Sequence, residues 1–287
     1  MKQLPISASF NLFHRATEDL SEYIRQGLAF YARHGFDAAE INATLFDLST
    51  DGWKAQVEDA RAASLATGVQ FATAHLPYLL GGFAGDADYM ALFDRRMKNS
   101  IDAMAALGVN CAVVHPNAPT VLAKEFDRRA QFESVMAHLT PYVAYANRAG
   151  LSLVIENMRI IHGSRHSHRY CQDADELCEV ADALGIGVCW DFGHANISGV
   201  KQSEGLAYVG KRLKAVHVND NSGIDDDHIP PFTGMVDWKD AMHGLQLAGY
   251  EGTFNYEMCT KHLPASVRDS FADYLVAAAR ELMTYIE

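Results

Sequence analysis

Eight short apolar runs, each followed by an amphipathic segment, constrain this chain more than any other feature. They read PISASFNLF (5–13), FDAAEIN (36–42), VQFATAH (69–75), NCAVVHP (110–116), LSLVIEN (151–157), IGVCWDF (186–192), LKAVHVN (213–219) and GTFNYEM (252–258). Each has strand length, whereas the stretches between them, such as MALFDRRMKNSIDAMAAL (90–107) and VRDSFADYLVAAARELMTYI (267–286), have helical apolar spacing. Several strands follow a glycine, as in ARHGFDAAE, ALGVNCAVV and NRAGLSLVI, where a helix has to stop and the chain turn. Eight strand–helix units at roughly 25–40-residue spacing predict a closed barrel. An open doubly wound sheet is the competing architecture, but no Gly-x-Gly-x-x-Gly follows the first strand. We expect an α/β fold, a single (β/α)8 TIM barrel occupying residues 1–287 as one domain.

Composition narrows the function classes. The chain is 49% apolar and 21% charged, with no linker or low-complexity tract. No run approaches the roughly 18 apolar residues of a membrane span. Pro5, Ser7, Ser9 and Asn11 interrupt any signal-like start, so the expected location is cytoplasmic. Five cysteines without a Cys-x-x-Cys pair argue against a disulfide framework and a thiolate zinc finger. The formal charge of -12 disfavours nucleic acid as a partner, because phosphate-backbone binding depends on Lys and Arg.

The strand ends carry the chemistry. Strands two to eight finish in or beside Glu40, His75, His115, Glu156, Asp191, His217 and Glu257. His, Asp and Glu make up only 49 of the 287 residues, so seven such residues at seven strand ends exceed chance. In a barrel these positions ring the C-terminal mouth, where active sites of this fold sit. A lone His75 or His115 is readily a hydrogen-bonded structural residue. Glu156, Asp191 and Glu257 are harder to explain that way, since a buried carboxylate needs a cation or strong donors. No Lys or Arg stands at a neighbouring strand end, so a divalent metal is expected to relieve their repulsion. Glu156, Asp191, His217 and Glu257 offer one nitrogen and three oxygens, a set suited to Mn²⁺, Mg²⁺, Co²⁺ or Zn²⁺.

The stretches FDAAEI, TAHLPY, VVHP, LVIENM, CWDFGHANIS and HVNDNSGIDDDH, with Glu257, resemble the xylose-isomerase-like TIM-barrel superfamily over about residues 36–258. That superfamily contains sugar isomerases and epimerases, related dehydratases and endonuclease-four-type apurinic endonucleases. Similarity to its ketose 3-epimerase branch implies one metal held by Glu156, Asp191, His217 and Glu257, with Glu156 and Glu257 as the acid–base pair and His194 touching a substrate oxygen. The reaction implied is proton transfer through a metal-stabilised enediolate. The endonuclease branch instead implies up to three Zn²⁺ on His75, His115, Glu156, Asp191, His194, His217, Asp226, His228 and Glu257. The chain departs from the epimerase pattern at Gly223, where an Arg is expected, and at His162, where a Glu is expected. Thr233 before Gly234 is a further departure, many relatives having Glu.

Two loops remain. IIHGSRHSHRY (160–170) brings His162, Arg165, His166, His168 and Arg169 together in an acidic chain. It follows strand five and is read either as a contact for an acidic sugar or phosphate or as a solvated loop. In HVNDNSGIDDDH (217–228), Asp220 and Asp225 read as solvated acids and Asp227 as turned away. Asp226 and His228 are ligands of extra metals or orient a substrate hydroxyl. His14 and Trp53 are read as pocket lining or ordinary loop packing. Glu40, His162 and Arg165 are candidate substrate contacts.

The resulting expectation is a divalent-metal-dependent isomerase or epimerase of a sugar or polyol, in the class of carbohydrate metabolism, with a homo-oligomer allowed. A keto-polyol dehydratase and a zinc phosphodiesterase are the alternatives.

Overall fold

The computed structural model describes residues 3–79, 85–117, 126–161 and 168–286. Its strands are β1 (Ile6–Ser9), β2 (Ala38–Asn42), β3 (Gln70–His75), β4 (Cys111–Val114), β5 (Leu153–Glu156), β6 (Gly187–Asp191), β7 (Leu213–Val218) and β8 (Phe254–Tyr256). All pair in parallel with their sequence neighbours, and β1 pairs with β8, so the sheet closes. This is the expected (β/α)8 TIM barrel.

The surrounding helices are α1 (Leu20–His34), α2 (Trp53–Thr67), α3 (Ala87–Leu107), α4 (Arg128–Ala149), α5 (Ala174–Leu184), α6 (Phe192–Ile197), α7 (Gln202–Val209), α8 (Trp238–Ala248) and α9 (Arg268–Met283). Gly108 (φ 82°) and Gly150 (φ 77°) end α3 and α4 in the left-handed region. Glycine reaches that region without a Cβ clash, and the next residues then enter β4 and β5. The strands are shorter than the apolar runs. Phe10 and Leu12 are buried beyond β1, in turn geometry rather than in the ladder. Apolar character thus marks burial, and only part of a buried run keeps strand pairing.

The main core fills the layer between barrel and helices. Barrel closure is reinforced where the first and last strands meet. Arg268, 8% exposed, donates Nη1 to the carbonyls of Asn11 (2.9 Å) and Leu12 (2.8 Å) and Nη2 to that of Thr260 (3.0 Å). The loops after β1 and β8 are thereby tied by charge-assisted bonds. No helix among the described residues is long and apolar enough to cross a membrane. The cysteines are all free thiols, and only Cys259 is exposed.

His138 of α4 packs between Phe93 of α3 (5.8 Å between centroids) and Tyr142 (5.5 Å). Burial lowers its imidazole from 6.5 to about 4. The folded state therefore holds it neutral, and stability is lost as pH falls from about 6.5 toward about 4. At 1.36 kcal/mol per unit this is roughly 3 kcal/mol, which solvent at the half-buried ring reduces to about 1–2 kcal/mol. Substituting His138→Phe is expected to shrink the gap between urea stabilities at pH 7 and pH 4.5 by that amount. An unchanged gap would show that this ring does not couple folding to acid.

Candidate metal centre and active site

Alternate residues of a strand share a face, and this periodicity builds the site. Val154, Cys189 and Ala215 join Cys111 and Val113 in a small apolar cluster separate from the main core. Two residues further along the same strands come Glu156, Asp191 and His217. Register sets Asp191 beside His217, and His217 beside Asn255. Glu257 lies one residue past β8, its N–H still donating to Val218 O (3.1 Å).

His217 is the hub. Its Nδ1 lies 3.1 Å from Glu156 Oε1 and 3.1 Å from Glu257 Oε2, while Nε2 lies 3.1 Å from Glu40 Oε2. Glu40, 2% exposed, also accepts from Thr73 (2.9 Å) and Ser9 (3.2 Å). It therefore meets the ring from the side away from Glu156 and Glu257. Burial opposes a charge on His217, but Cys189 and the Glu257, Glu40 and Glu156 carboxylates hold its pKa well above the ordinary value. Burial likewise opposes ionised Glu156, yet His217 and His115 keep it well below the carboxylate range. Glu257 is brought to about 2 by His217 and His228 against the same burial. Asp191 goes the other way, lifted by burial to about 6 despite His194.

Asp191 is braced rather than paired. Its Oδ1 accepts from His194 N (2.7 Å) and its Oδ2 from Asn219 Nδ2 (2.8 Å). Asn157 grips its backbone, accepting from Asp191 N (2.6 Å) and donating to Asp191 O (3.0 Å). Gly193 is required here, since a Cβ would stand 1.9 Å from Asn219 Oδ1.

The donors of Glu156, Asp191, His217 and Glu257 lie within 4.8 Å of one another. Glu156 Oε2 is buried against two imidazoles, 3.0 Å from His115 Nε2 and 3.6 Å from His75 Nε2. A buried carboxylate oxygen facing only imidazoles, a mixed O₃N set and a histidine whose far nitrogen meets a carboxylate fit a divalent cation. Two further groups adjoin: His75, His115 and Glu156, and His194, Asp226 and His228. A fourth, His168, Asp173 and Glu176, shares no residue with them. Three of these histidines have fixed tautomers, since Nδ1 donates to a carbonyl: His75 to Leu76 (2.9 Å), His194 to Asn157 (2.7 Å) and His228 to Glu257 (2.9 Å). Of their Nε2 atoms, that of His75 faces His115 Nε2 at 3.0 Å, and those of His194 and His228 face Asp226. Tyr78 stacks on His115 at 4.7 Å.

The loop after β7 folds back over the mouth, and it corrects the sequence reading of Asp220. That residue is fully buried, not solvated. It bridges to Ile229 through both backbone bonds, and its carboxylate accepts from Val236 N (3.0 Å), Gly234 N (3.2 Å) and Trp238 Nε1 (3.0 Å). Asp225 is exposed as expected, and Asp227 bonds Ser222 within the loop. Asp226 and His228 are brought to the mouth, with His194 Nε2 3.5 Å from Asp226 Oδ2 and His228 Nε2 3.2 Å from Asp226 Oδ1. Trp53 is buried at the start of α2, and His14 is exposed. His162, Arg165 and His166 lie outside the described residues. The expectation that no cation stands near the strand ends is also corrected. Arg159, three residues past Glu156, sets Nε 3.1 Å from Asp226 Oδ2.

The sequence profile of the xylose isomerase-like TIM barrel family matches residues 28–279. The chain belongs to that family. Among curated proteins it is 26% identical over 162 residues to the uncharacterized protein y4fM of Sinorhizobium fredii, covering 56% of this chain and 51% of that one. It is 25% identical over 163 residues to the uncharacterized protein MJ1311 of Methanocaldococcus jannaschii, covering 56% and 55%. The match thus spans about half the length of these relatives. Among solved structures, a D-tagatose 3-epimerase-like protein superposes with TM-score 0.74 at 21% identity, covering 99% and 98% of the chains. D-psicose 3-epimerase from Clostridium cellulolyticum gives 0.75 at 16% (98% and 99%). The 3-keto-D-glucoside 4-epimerase of E. coli gives 0.67 at 19% (96% and 99%). At these identities the likeness is one of fold.

Among the described residues Glu40 meets the four-residue group at His217 Nε2. Substitution Glu40→Ala removes the acceptor for His217 Nε2, and divalent-metal affinity is expected to fall about 10–100-fold. Competition against a chelator measures this, with circular dichroism to confirm the fold. Unchanged affinity would rule out Glu40 as the positioning group.

Proposed function

We propose that this chain is a divalent-metal-dependent enzyme that isomerises or epimerises a sugar or polyol derivative by proton transfer. The observation that carries this reading is the pair Glu156 and Glu257, both 3.1 Å from His217 Nδ1 but reached from different strands and differently exposed. The Glu156 side chain is 1% exposed and that of Glu257 26%.

Glu156, Asp191, His217 and Glu257 would hold the metal, whose Lewis acidity stabilises negative charge next to a carbonyl. The rest is done by the chain's own groups. Glu257, open to the mouth and ionised at neutral pH, is placed to take a proton from a C–H beside the carbonyl. Protonated Glu257 can return that proton in an isomerisation. In an epimerisation Glu156, the buried second carboxylate, would return one after first taking a proton through His115, whose Nε2 lies 3.0 Å from its Oε2. His194 has Nδ1 committed to Asn157 O, and its Nε2, 3.5 Å from Asp226 Oδ2, would orient a substrate oxygen by sharing or leaving that carboxylate. Elimination of water from a keto-polyol starts with the same abstraction and is the nearest variant. The neighbours named as sugar epimerases are consistent with this chemistry.

A second reading has a specific observation behind it. The groups His75–His115–Glu156 and His194–Asp226–His228 flank the central four residues, as a three-zinc phosphodiesterase would require. Metal stoichiometry separates the two.

The direct test is metal analysis of the purified protein followed by a ketose panel in D₂O. One metal per chain and solvent deuterium entering a substrate C–H are expected. Glu156→Gln and Glu257→Gln should each lower that exchange by about 10²–10⁴-fold. Three zinc ions per chain with nicking of an abasic duplex would replace this reading by the phosphodiesterase. Exchange that survives both substitutions would remove the acid–base assignment.

A further inference from the structure

Two arginines at the mouth have no part in the proposed proton transfer. Arg159 uses Nε on Asp226 and Nη1 on Ile160 O (3.4 Å). Arg169 uses Nη2 on Asn117 Oδ1 (3.2 Å) and Met158 Sδ (3.3 Å). Each guanidinium carries five N–H donors in a fixed fork, so most remain without a protein acceptor among the described residues.

Their surroundings differ from those of several surface arginines. On the outer surface Arg25, Arg128, Arg129 and Arg212 are each clamped by carboxylates. Arg169 is half-buried, yet its side-chain contacts are an amide and a thioether, both neutral. Burial destabilises its charge and the field of Arg159 destabilises it further, with Asp226 and Glu156 only partly compensating. In a protein of net charge -12, two guanidiniums stand within each other's field with Asp226 on Arg159 as their one carboxylate contact among the described residues.

We propose that the substrate is an anionic sugar, its carboxylate or phosphate end gripped by Arg159 and Arg169 while its carbonyl end lies over Glu156 and Glu257. The proposal rests on the sugar reading above and specifies its substrate class. A planar fork suits a carboxylate or phosphate equally, because both present two oxygens at matching spacing. Arg159 would keep Asp226 on its Nε edge and offer the Nη groups.

The test is calorimetric titration of the metal-loaded full chain with D-fructose, D-fructuronate and D-fructose 6-phosphate at low salt. At least one anion is expected to bind about 10-fold or more tightly than D-fructose. Which of the two does so identifies carboxylate or phosphate. In Arg159→Gln and Arg169→Gln the preference should fall to within about threefold. Arg→Lys at each site keeps charge without the fork and serves where a Gln variant melts early. D-fructose binding as tightly as both anions, no anion binding at millimolar concentration, or a preference surviving both substitutions would each overturn the proposal. Deuterium exchange keeps the two readings apart. Exchange into D-fructose without anion preference defeats only the anion grip. Arginine-dependent anion binding with no exchange in any sugar defeats only the proton-transfer reading.

Discussion

Three carboxylates converge on one imidazole, and the architecture of the mouth follows from accommodating them. Glu40, Glu156 and Glu257 each lie 3.1 Å from a nitrogen of His217. Bringing them there removes them from water at a cost of several kcal/mol per ion, which only positive charge and hydrogen bonds offset. Strands rather than loops supply His217, Glu156, Glu40 and Asp191, so backbone pairing resists the repulsion that would spread a looser site. The asymmetry of the hub matters. Glu40 closes one edge of the ring against Thr73 and Ser9, and only the other edge faces the donor set.

The loop after β7 solves a second problem, bringing Asp226 and His228 over the mouth without a strand to hold them. Asp220 does this from inside. Its buried carboxylate collects the N–H groups of Gly234, Val236 and Trp238, fixing both ends of the excursion. His228 pays for its position with φ 47°, a conformation that persists only where neighbours over-determine it. Here Cys259 N donates to His228 O and His228 Nδ1 to Glu257 O. His228 thus links the loop to the chain just past β8 through two residues.

The fold and the ring of ligands were legible because both repeat. Alternation of eight strands with helices is visible in any window, and a polar residue closing an apolar run recurs at Glu156, Asp191 and His217. Asp220 was misread because its partners lie 14 to 18 residues later, and nothing local separates a buried acid from a solvated one in a run of acids. Arg159 escaped for the same reason: three residues past a strand end looks like loop, and only the return of the β7 loop brings Asp226 to it. Asn157 and Asn219 carried a usable signal, each standing within two residues of a ligand candidate. Their bracing of Asp191 still needed strand register to be seen.

The contact between Arg159 and Asp226 is where the competing chemistries separate. A third cation on His194, Asp226 and His228 would need Asp226 as its only carboxylate within that group. Asp226 Oδ2 is instead 3.1 Å from a guanidinium that is always charged. A divalent ion would have to displace that arginine or sit beside it, with like charges a few ångströms apart in a partly buried site. His194 and His228 also point Nε2 at Asp226, and each bond favours its carboxylate form. Asp226 is therefore met by a permanent cation as well as two imidazoles, whereas among the described residues Glu156 and Glu257 meet imidazoles alone. The guanidinium at Asp226 lowers the electrostatic demand for a metal at the loop relative to the His217 centre, which favours one resident ion with an anion-accepting rim over a cluster of three.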